Sequence, residues 1–222
     1  MIRLALYWAP EVTDPLHACA SAWLGRDAET GARLLQPAIP GIAEATADPR
    51  LYGFHGTLKA PFRLATSYEA ARAAAGFLVD RTAPFTLPPL VLRDLRGFLA
   101  LIESEACPAL AAFADDCVRT LDPHRAALSE DEIVRRRPDR LSPRQRENLN
   151  RWGYHLVFED FQFHGTLTGR LAEDQRAVFE PAAAAFLGDV PAAPRHVREL
   201  CLFTQAAPGA PFLIAERLPL RG

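Results

Sequence analysis

Phe54-His55-Gly56-Thr57-Leu58 is repeated further along the chain as Phe163-His164-Gly165-Thr166-Leu167. Each copy lies in an apolar stretch of the kind that forms β-strands. Alternate residues of a strand project from the same face, so the histidine and the threonine of each copy share one face while the flanking apolar residues point to the other. The repeated pentapeptide therefore predicts two equivalent strands that each present an imidazole and a hydroxyl group.

Two such strands related by a pseudo-twofold would bring His55, Thr57, His164 and Thr166 to one cleft. A single His-x-Thr in a strand is common and usually marks a structural histidine. A near-identical pair is different, because packing alone would favour an apolar residue at both histidine positions. We therefore interpret the four residues as a candidate catalytic set in which the histidines form an acid/base pair.

The composition is that of an ordinary globular protein of 222 residues, with 49% hydrophobic and 23% charged residues. The stretch Met1–Trp8 is too short for a signal peptide and predicts a first β-strand, and no apolar run has the length of a membrane span. The cysteines are scattered without a Cys-x-x-Cys pair, which favours free thiols over disulfides or zinc ligands: Cys19, Cys107, Cys117 and Cys201. We expect a cytoplasmic protein with no membrane partner, no metal and no cofactor.

The formal charge of −2 argues against indiscriminate binding to polyanions. Lys59 is the only lysine and lies two residues beyond Thr57, so it would share the face of His55 if the strand extends that far. A compact, mobile cation suits phosphate, which makes Lys59 a candidate substrate-binding residue. The alternative is that one lysine in an arginine-biased chain has no special role. Tyr7 and Thr168 are further candidates for substrate contacts, although packing is the more common role of an aromatic residue such as Tyr7.

The order of predicted elements is repeated as well. Each motif is followed by a helix, a strand, a turn and a second strand. These elements span 67–80, 85–92 and 98–102 after the first motif, and 173–187, 197–204 and 211–216 after the second. The repeat predicts an α+β fold of two similar lobes, with two antiparallel sheets flanked by helices around a central cleft.

We expect a single bilobal domain with lobes at 1–121 and 153–222 and a charged helical bridge at 122–152. The N-terminal strand could pair in either lobe.

The arginines of Arg135–Arg146 invite a nucleic-acid interpretation. We favour a solvated helical face whose arginines pair with adjacent acids, because no stacking aromatic residues alternate with them.

Three further stretches carry a resemblance to a known family: Trp23–Asp27, Tyr52–Phe62 and Leu149–Tyr154. Together with the paired His-x-Thr motifs they resemble the two-histidine (HxTx-repeat) phosphoesterase superfamily, which includes cyclic nucleotide phosphodiesterases and RNA 2′–5′ ligase-like proteins. They look most like one uncharacterised branch, a domain of unknown function labelled for phosphonate metabolism. The chain departs from that branch at His155, where proline is expected, and at Gly165, where a larger residue is expected.

The resemblance implies a bilobal fold of the RNA ligase-like and cyclic phosphodiesterase-like kind, with metal-independent chemistry on cyclic or 2′-linked phosphoesters. It implies acid/base roles for His55 and His164 and phosphate binding by Thr57 and Thr166. We therefore predict a hydrolase that opens a small cyclic phosphate, with a ribose cyclic phosphate of phosphonate catabolism as a candidate. The sequence does not distinguish the base from the acid, because the two motifs are nearly the same.

Other functions stay open beside this prediction. One is an RNA- or nucleotide-binding module, or a 2′–5′ RNA phosphodiesterase or ligase-like protein, which the arginines of Arg135–Arg146 would support. Another is a scaffolding role in a multienzyme complex. We favour a small phosphorylated substrate over RNA as the partner, and the sequence makes no prediction of oligomeric state.

Overall fold

The computed structural model describes residues 3–222, so the first two residues of the predicted N-terminal strand lie outside the described part of the chain. The strands are β1 Arg3–Trp8, β2 Gly56–Arg63, β3 Phe85–Leu87, β4 Leu90–Asp94, β5 Leu99–Glu103, β6 Gly165–Thr166, β7 Arg195–Val197, β8 Glu199–Gln205 and β9 Leu213–Pro219. The α-helices are α1 Pro15–Leu24, α2 Ile42–Ala45, α3 Ala47–Tyr52, α4 Tyr68–Val79, α5 Pro108–Leu121, α6 Glu130–Arg135, α7 Pro143–Trp152 and α8 Glu173–Leu187.

Seven strands form one antiparallel sheet in the order β4-β5-β6-β2-β1-β8-β9, and β3 pairs with β7 in a second, two-stranded sheet. The predicted α+β class with antiparallel sheets and flanking helices is confirmed. The boundaries of the predicted lobes, 1–121 and 153–222, stay a prediction, but each half of the large sheet contains strands from both of them. The two motif strands lie next to each other, and their outer neighbours are β1 for the first motif strand and β5 for the second.

Two predicted strands are each divided in the structure. The stretch 85–92 becomes β3 and β4, which belong to different sheets, and 197–204 becomes β7 and β8. The first division falls at Pro88 and Pro89, whose missing backbone N–H groups prevent a continuous ladder. The two short pieces, β3 and β7, then pair with each other and join the two repeats a second time.

Helix boundaries follow the local capping signals. Asp14 accepts a hydrogen bond from the Leu16 backbone at the start of α1. Ser67 caps α4 and Ser142 caps α7 in the same way. Within residues 3–222, no helix has both the length and the apolar character that crossing a bilayer requires.

The two faces of β1 show where the site lies. Leu4, Leu6 and Trp8 point into the main core, which helices α1, α4, α5 and α8 cover. Tyr7 points to the opposite face, where it packs with Phe203 in a smaller apolar cluster. This alternation leaves the Tyr7 face of the sheet open to a cavity.

Candidate active site

The two motif strands are neighbours in the sheet. Gly56 of β2 pairs with Gly165 of β6 in an antiparallel bridge. Given this register, His55 lies across from Thr166, and Thr57 lies across from His164. All four side chains lie on one face of the sheet because they flank the paired glycines. The two histidines are therefore diagonal neighbours across the strand pair, a position at which residues usually lie about 7–8 Å apart and their Cβ atoms somewhat closer.

Aromatic rings from each motif pack against the glycine of the other on the opposite side of the sheet. A methyl group on Gly56 would collide with the ring of Phe163, and one on Gly165 would come within 2.5 Å of the ring of Phe54. Trp8 contacts both rings edge-on, with centroids 6.5 Å from Phe54 and 5.5 Å from Phe163. The departure from the resembled branch at Gly165 therefore has a reason in packing, because the Phe54 ring occupies the space of a side chain.

Each motif histidine is oriented by the backbone carbonyl of the residue two positions earlier. His55 Nδ1 lies 2.8 Å from the Gly53 carbonyl oxygen, and His164 Nδ1 lies 2.9 Å from that of Gln162. A carbonyl oxygen only accepts hydrogen bonds, so Nδ1 carries the proton in both rings and donates it. When the ring is neutral, Nε2 is the unprotonated nitrogen that is available to a substrate. Gly53 has a φ of 76°, a conformation that glycine adopts without strain and that turns the chain from α3 into β2.

The surroundings of the two histidines differ. The His55 ring stacks on Tyr7 with centroids 3.8 Å apart and also lies near Phe203. Burial lowers the pKa of His55 to about 4; the Gly53 carbonyl opposes this shift, and the nearby His164 adds to it. Among the aromatic rings of residues 3–222, that of His164 meets only the edge of Phe98, at 5.9 Å between centroids. His55 is therefore neutral near pH 7 and is ready to accept a proton.

A cavity of about 550 Å³ lies over this face of the sheet. His55, Thr57 and Thr166 line it, whereas His164 lines a neighbouring cavity of about 760 Å³. The two cavities share three lining residues, namely Phe98, Tyr154 and Arg170. His164 thus stands at the border between the two spaces, across from Thr57.

Lys59 is not brought to this site. The expectation that it shares the face of His55 is wrong, because the register between β1 and β2 shifts by one residue. Tyr7 pairs with Thr57, but the preceding residue, Leu6, pairs with Lys59, so β2 has one extra residue at this point. The extra residue in β2 is a β-bulge, and it turns Lys59 to the core face of Leu6. There its ammonium donates to the Val118 carbonyl at 3.0 Å and lies 3.6 Å from Asp122.

Tyr7 and Thr168 both line the cavity but are fully engaged with the protein. Tyr7 is 1% exposed and supports the His55 ring from below. Thr168 is buried, and its hydroxyl accepts a hydrogen bond from the backbone of Leu99 in β5 at 3.0 Å. These contacts give both residues a positioning role in the described structure.

The predicted bridge supplies residues that sequence reasoning placed in solvent. Arg135 and Arg136, from α6 and its C-terminal end, line the cavity of the two motifs. Arg144 follows the expected pattern instead, since it pairs with Asp160 at 2.7 Å. Arg3 and Arg170, which the sequence analysis did not select, line the cavity as well. No local signal separates these arginines from others, because only the folded chain brings them together.

Metal binding was not predicted, and the described residues offer no obvious ligand set. Within 3–222, no three His, Cys, Asp or Glu side chains form a group that could hold a metal ion. The four cysteines are unpaired, with Cys117 and Cys201 fully buried. Whether the chemistry needs a metal is therefore a question for a chelator experiment.

Comparisons with known proteins place the chain in a family. The profile of DUF1045, described as "Protein of unknown function", matches residues 57–213. Two curated relatives, from Janthinobacterium sp. (strain Marseille) and Laribacter hongkongensis (strain HLHK9), are both 37% identical, over 100% and 95% of this chain. Each bears the name ribose 1,5-bisphosphate phosphokinase PhnN. The chain spans only about half the length of these relatives, 51% and 50%.

Solved structures with a related arrangement are more distant in sequence. A crystal structure of a phosphoesterase is 15% identical, with a TM-score of 0.46 and all of both chains covered. The structure of E. coli LigT complexed with 3′-AMP is 15% identical, with a TM-score of 0.43, and covers 100% of this chain and 99% of LigT. The family itself is settled by the DUF1045 match over residues 57–213, in agreement with the predicted branch of unknown function: the chain belongs to the DUF1045 family.

Proposed function

We propose that this protein is a phosphoesterase that opens a small cyclic phosphate by two-histidine acid/base catalysis without a metal. The observation that carries the proposal is the bridge between Gly56 and Gly165, since its register sets two imidazoles and two hydroxyls around one point. A phosphate group bound there would have a histidine on either side, which is the arrangement that in-line displacement requires.

The proposed reaction begins at His55. Its Nε2 takes a proton from a water molecule, whose oxygen attacks phosphorus. The bond between phosphorus and the ring oxygen of the cyclic ester breaks, and His164, which enters the reaction as an imidazolium, gives its Nε2 proton to the departing alkoxide. The hydroxyls of Thr57 and Thr166 donate hydrogen bonds to the nonbridging oxygens as negative charge grows on them. Each proton transfer typically contributes about 10²- to 10⁴-fold in rate.

The assignment of base and acid rests on the unequal surroundings of the two rings. His55, whose pKa burial lowers to about 4, is unprotonated near neutrality and suits the base. His164 lies at the opening between the two cavities and is the partner left to donate. Product release restores the starting state when the two rings exchange their protons with solvent.

The curated relatives favour a ribose ester as the substrate. They carry the name of a ribose 1,5-bisphosphate kinase and are about twice as long as this chain, which has no glycine-rich phosphate loop of its own. The kinase activity would then belong to their other half. Opening a 5-phosphorylated ribose 1,2-cyclic phosphate at the O2 bond would yield ribose 1,5-bisphosphate, the compound in the relatives' name. We propose that the two halves catalyse consecutive steps.

Product formation from a panel of cyclic esters tests the proposal. The panel contains ribose 1,2-cyclic phosphate, its 5-phosphorylated form, nucleoside 2′,3′-cyclic phosphates and a 2′–5′ dinucleotide, each with excess chelator. His55→Ala and His164→Ala should lose turnover, while His196→Ala, an exposed histidine of β7, serves as the matched control. Loss of activity with chelator, or a folded wild-type protein that is inactive on every ester, would overturn it.

A further inference from the structure

The cavity over the motif strands carries an excess of positive charge. Four arginines line it, namely Arg3, Arg135, Arg136 and Arg170, against two carboxylates, Asp48 and Glu132. Glu132 is already engaged, because it pairs with Arg63 at 3.1 Å. This excess is local, since the whole chain has a formal charge of −2.

None of the four lining arginines forms an ion pair with a carboxylate of residues 3–222, whereas ten of the other twenty arginines do. Like charges that share a cavity repel one another. A set of unneutralised guanidinium groups therefore costs free energy unless an anion occupies the cavity for part of the time.

Neutral groups hold these arginines in place. The Arg136 guanidinium lies over the Tyr154 ring, 4.9 Å from its centroid, and that of Arg3 lies 5.7 Å from the centroid of Phe212. Arg3 also donates to the side chain of Gln205 at 3.1 Å, while its Nε is buried without a partner among residues 3–222. Aromatic faces and amide oxygens orient a guanidinium and leave its charge free for a ligand.

The basic residues extend the site away from the histidines. Arg3 and Tyr7 lie on the same face of β1, four residues apart, which corresponds to about 13 Å between their Cα atoms. Burial raises the pKa of Tyr7 well above its ordinary value, and Arg3 and Arg136 are both close enough to oppose that rise. Tyr7 in turn stacks on His55. The cavity thus has a reactive end at the motifs and a basic end at these arginines.

The aromatic rings of the cavity offer less to a nucleobase. One face of Tyr7 is covered by His55, one face of Tyr154 by Arg136, and Tyr52 stacks on Phe212 at 5.1 Å. The cavity instead has an excess of positive charge. Guanidinium groups match the geometry of phosphate oxygens, so this charge favours a phosphate group as the ligand.

We infer that Arg3, Arg135 and Arg136 form a second phosphate subsite, which binds a phosphate monoester dianion carried by the same small molecule whose cyclic ester is opened between His55 and His164. This inference rests on the proposed function for its reactive end. It makes the preferred substrate a sugar with two phosphate groups, one cyclic and one terminal. Arg170, at the border of the second cavity, is not part of the subsite.

The experiment compares one ester in two forms, ribose 1,2-cyclic phosphate with and without a 5-phosphate. Wild-type kcat/KM should be at least about tenfold higher for the 5-phosphorylated form, since hydrogen bonds to charged groups are strong. Arg3→Gln and Arg136→Gln should each lower kcat/KM about 10- to 100-fold for the 5-phosphorylated ester. For the ester without a 5-phosphate, each substitution should change kcat/KM less than about threefold. Arg81→Gln, an exposed arginine beyond α4, controls for the loss of one charge.

A binding measurement separates the subsite from the reaction. Ribose 5-phosphate is titrated by calorimetry into His164→Ala, and into the same variant carrying Arg3→Gln, Arg135→Gln or Arg136→Gln. Binding that the arginine substitutions remove supports the subsite even if no ester in the panel is turned over, which would overturn only the proposed function. Equal kcat/KM for the two esters, or binding of ribose 5-phosphate that is indifferent to all three arginines, would overturn the subsite. Any variant that misfolds by circular dichroism is replaced by one of the other two.

Discussion

The two copies of the pentapeptide share all five residues yet occupy unlike environments. The first opens β2, an eight-residue strand between β1 and β6, and its histidine stacks on Tyr7. The second forms β6, only two residues long, and its histidine meets the edge of Phe98. The backbone restraint is the same in both, with Nδ1 held by the carbonyl two residues earlier. Repetition thus supplies two equivalent groups, and the packing around them makes the groups chemically different.

The largest expected effect is the loss of kcat in the two histidine variants, and its dependence on the leaving group of the substrate distinguishes them. On a cyclic alkyl phosphate, His55→Ala and His164→Ala should each lower kcat by about 10²- to 10⁴-fold. On a p-nitrophenyl phosphodiester, whose leaving group needs no proton, His164→Ala should recover to within about tenfold of wild type, while His55→Ala should not. Steady-state kinetics with both substrates provides the measurement. Recovery in the His55 variant instead would reverse the assignment of base and acid.

The pH profile offers a second test of the same difference. Because the base is active only when it is unprotonated, kcat/KM should fall as pH drops through the pKa of His55, about 4, rather than through the ordinary imidazole value near 6.5. At pH 5 the enzyme should therefore keep most of its base-dependent activity, where an ordinary histidine would leave about 3%. An acidic limb centred at 6 or above would contradict the environment described for His55.

The lowered pKa of His55 should also appear in the pH dependence of folding stability. Its pKa is lower in the folded chain than in the unfolded one, so this residue contributes stability that is present above about pH 6.5 and is lost as pH falls toward 4. Replacing it with glutamine should flatten the dependence of the free energy of unfolding on pH within that window. Urea titrations at a series of pH values measure the difference, with His196→Gln as the control. Parallel curves for wild type and His55→Gln would argue against the burial of His55.

The reciprocal packing beneath the motifs predicts losses of about 1–3 kcal/mol, the usual cost of overpacking. Gly56→Ala and Gly165→Ala should both destabilise the protein, because each new methyl group meets the phenylalanine of the other motif. Replacing that ring with a smaller side chain should restore part of the lost stability, so Gly165→Ala should be less destabilising in a Phe54→Leu background. Thermal unfolding of the four combinations shows whether the two changes are coupled, and simple additivity would count against this packing.

The smallest effect is expected at Lys59. Lys59→Met should change kcat/KM less than about twofold, because the bulge turns this side chain away from the cavity and toward Val118 and Asp122. Asp122 keeps Arg125 as a partner at 2.8 Å, which limits the cost of losing the ammonium. A tenfold rise in KM would show that Lys59 reaches the substrate after all.

Local patterns in the sequence determined much of this protein. The helix predicted at 173–187 has those bounds in the structure, because the signals that favour a helix act within a few residues of one another. The period of two in a strand likewise places each motif threonine on the face of its histidine, and the duplicated order of elements is sufficient to predict the α+β class. These are short-range properties, and one chain without relatives reveals them.

Only the tertiary structure decided the rest, because the remaining features depend on contacts between distant segments. The interleaving of strands from both repeats is a matter of sheet pairing, which no local signal specifies. The bulge next to Tyr7 arises from the pairing of β1 with β2, and this bulge places Lys59 in the core instead of the site. Arg135 and Arg136 reach the cavity through the docking of α6. The lowered pKa of His55 depends on desolvation, and desolvation exists only once the chain has folded.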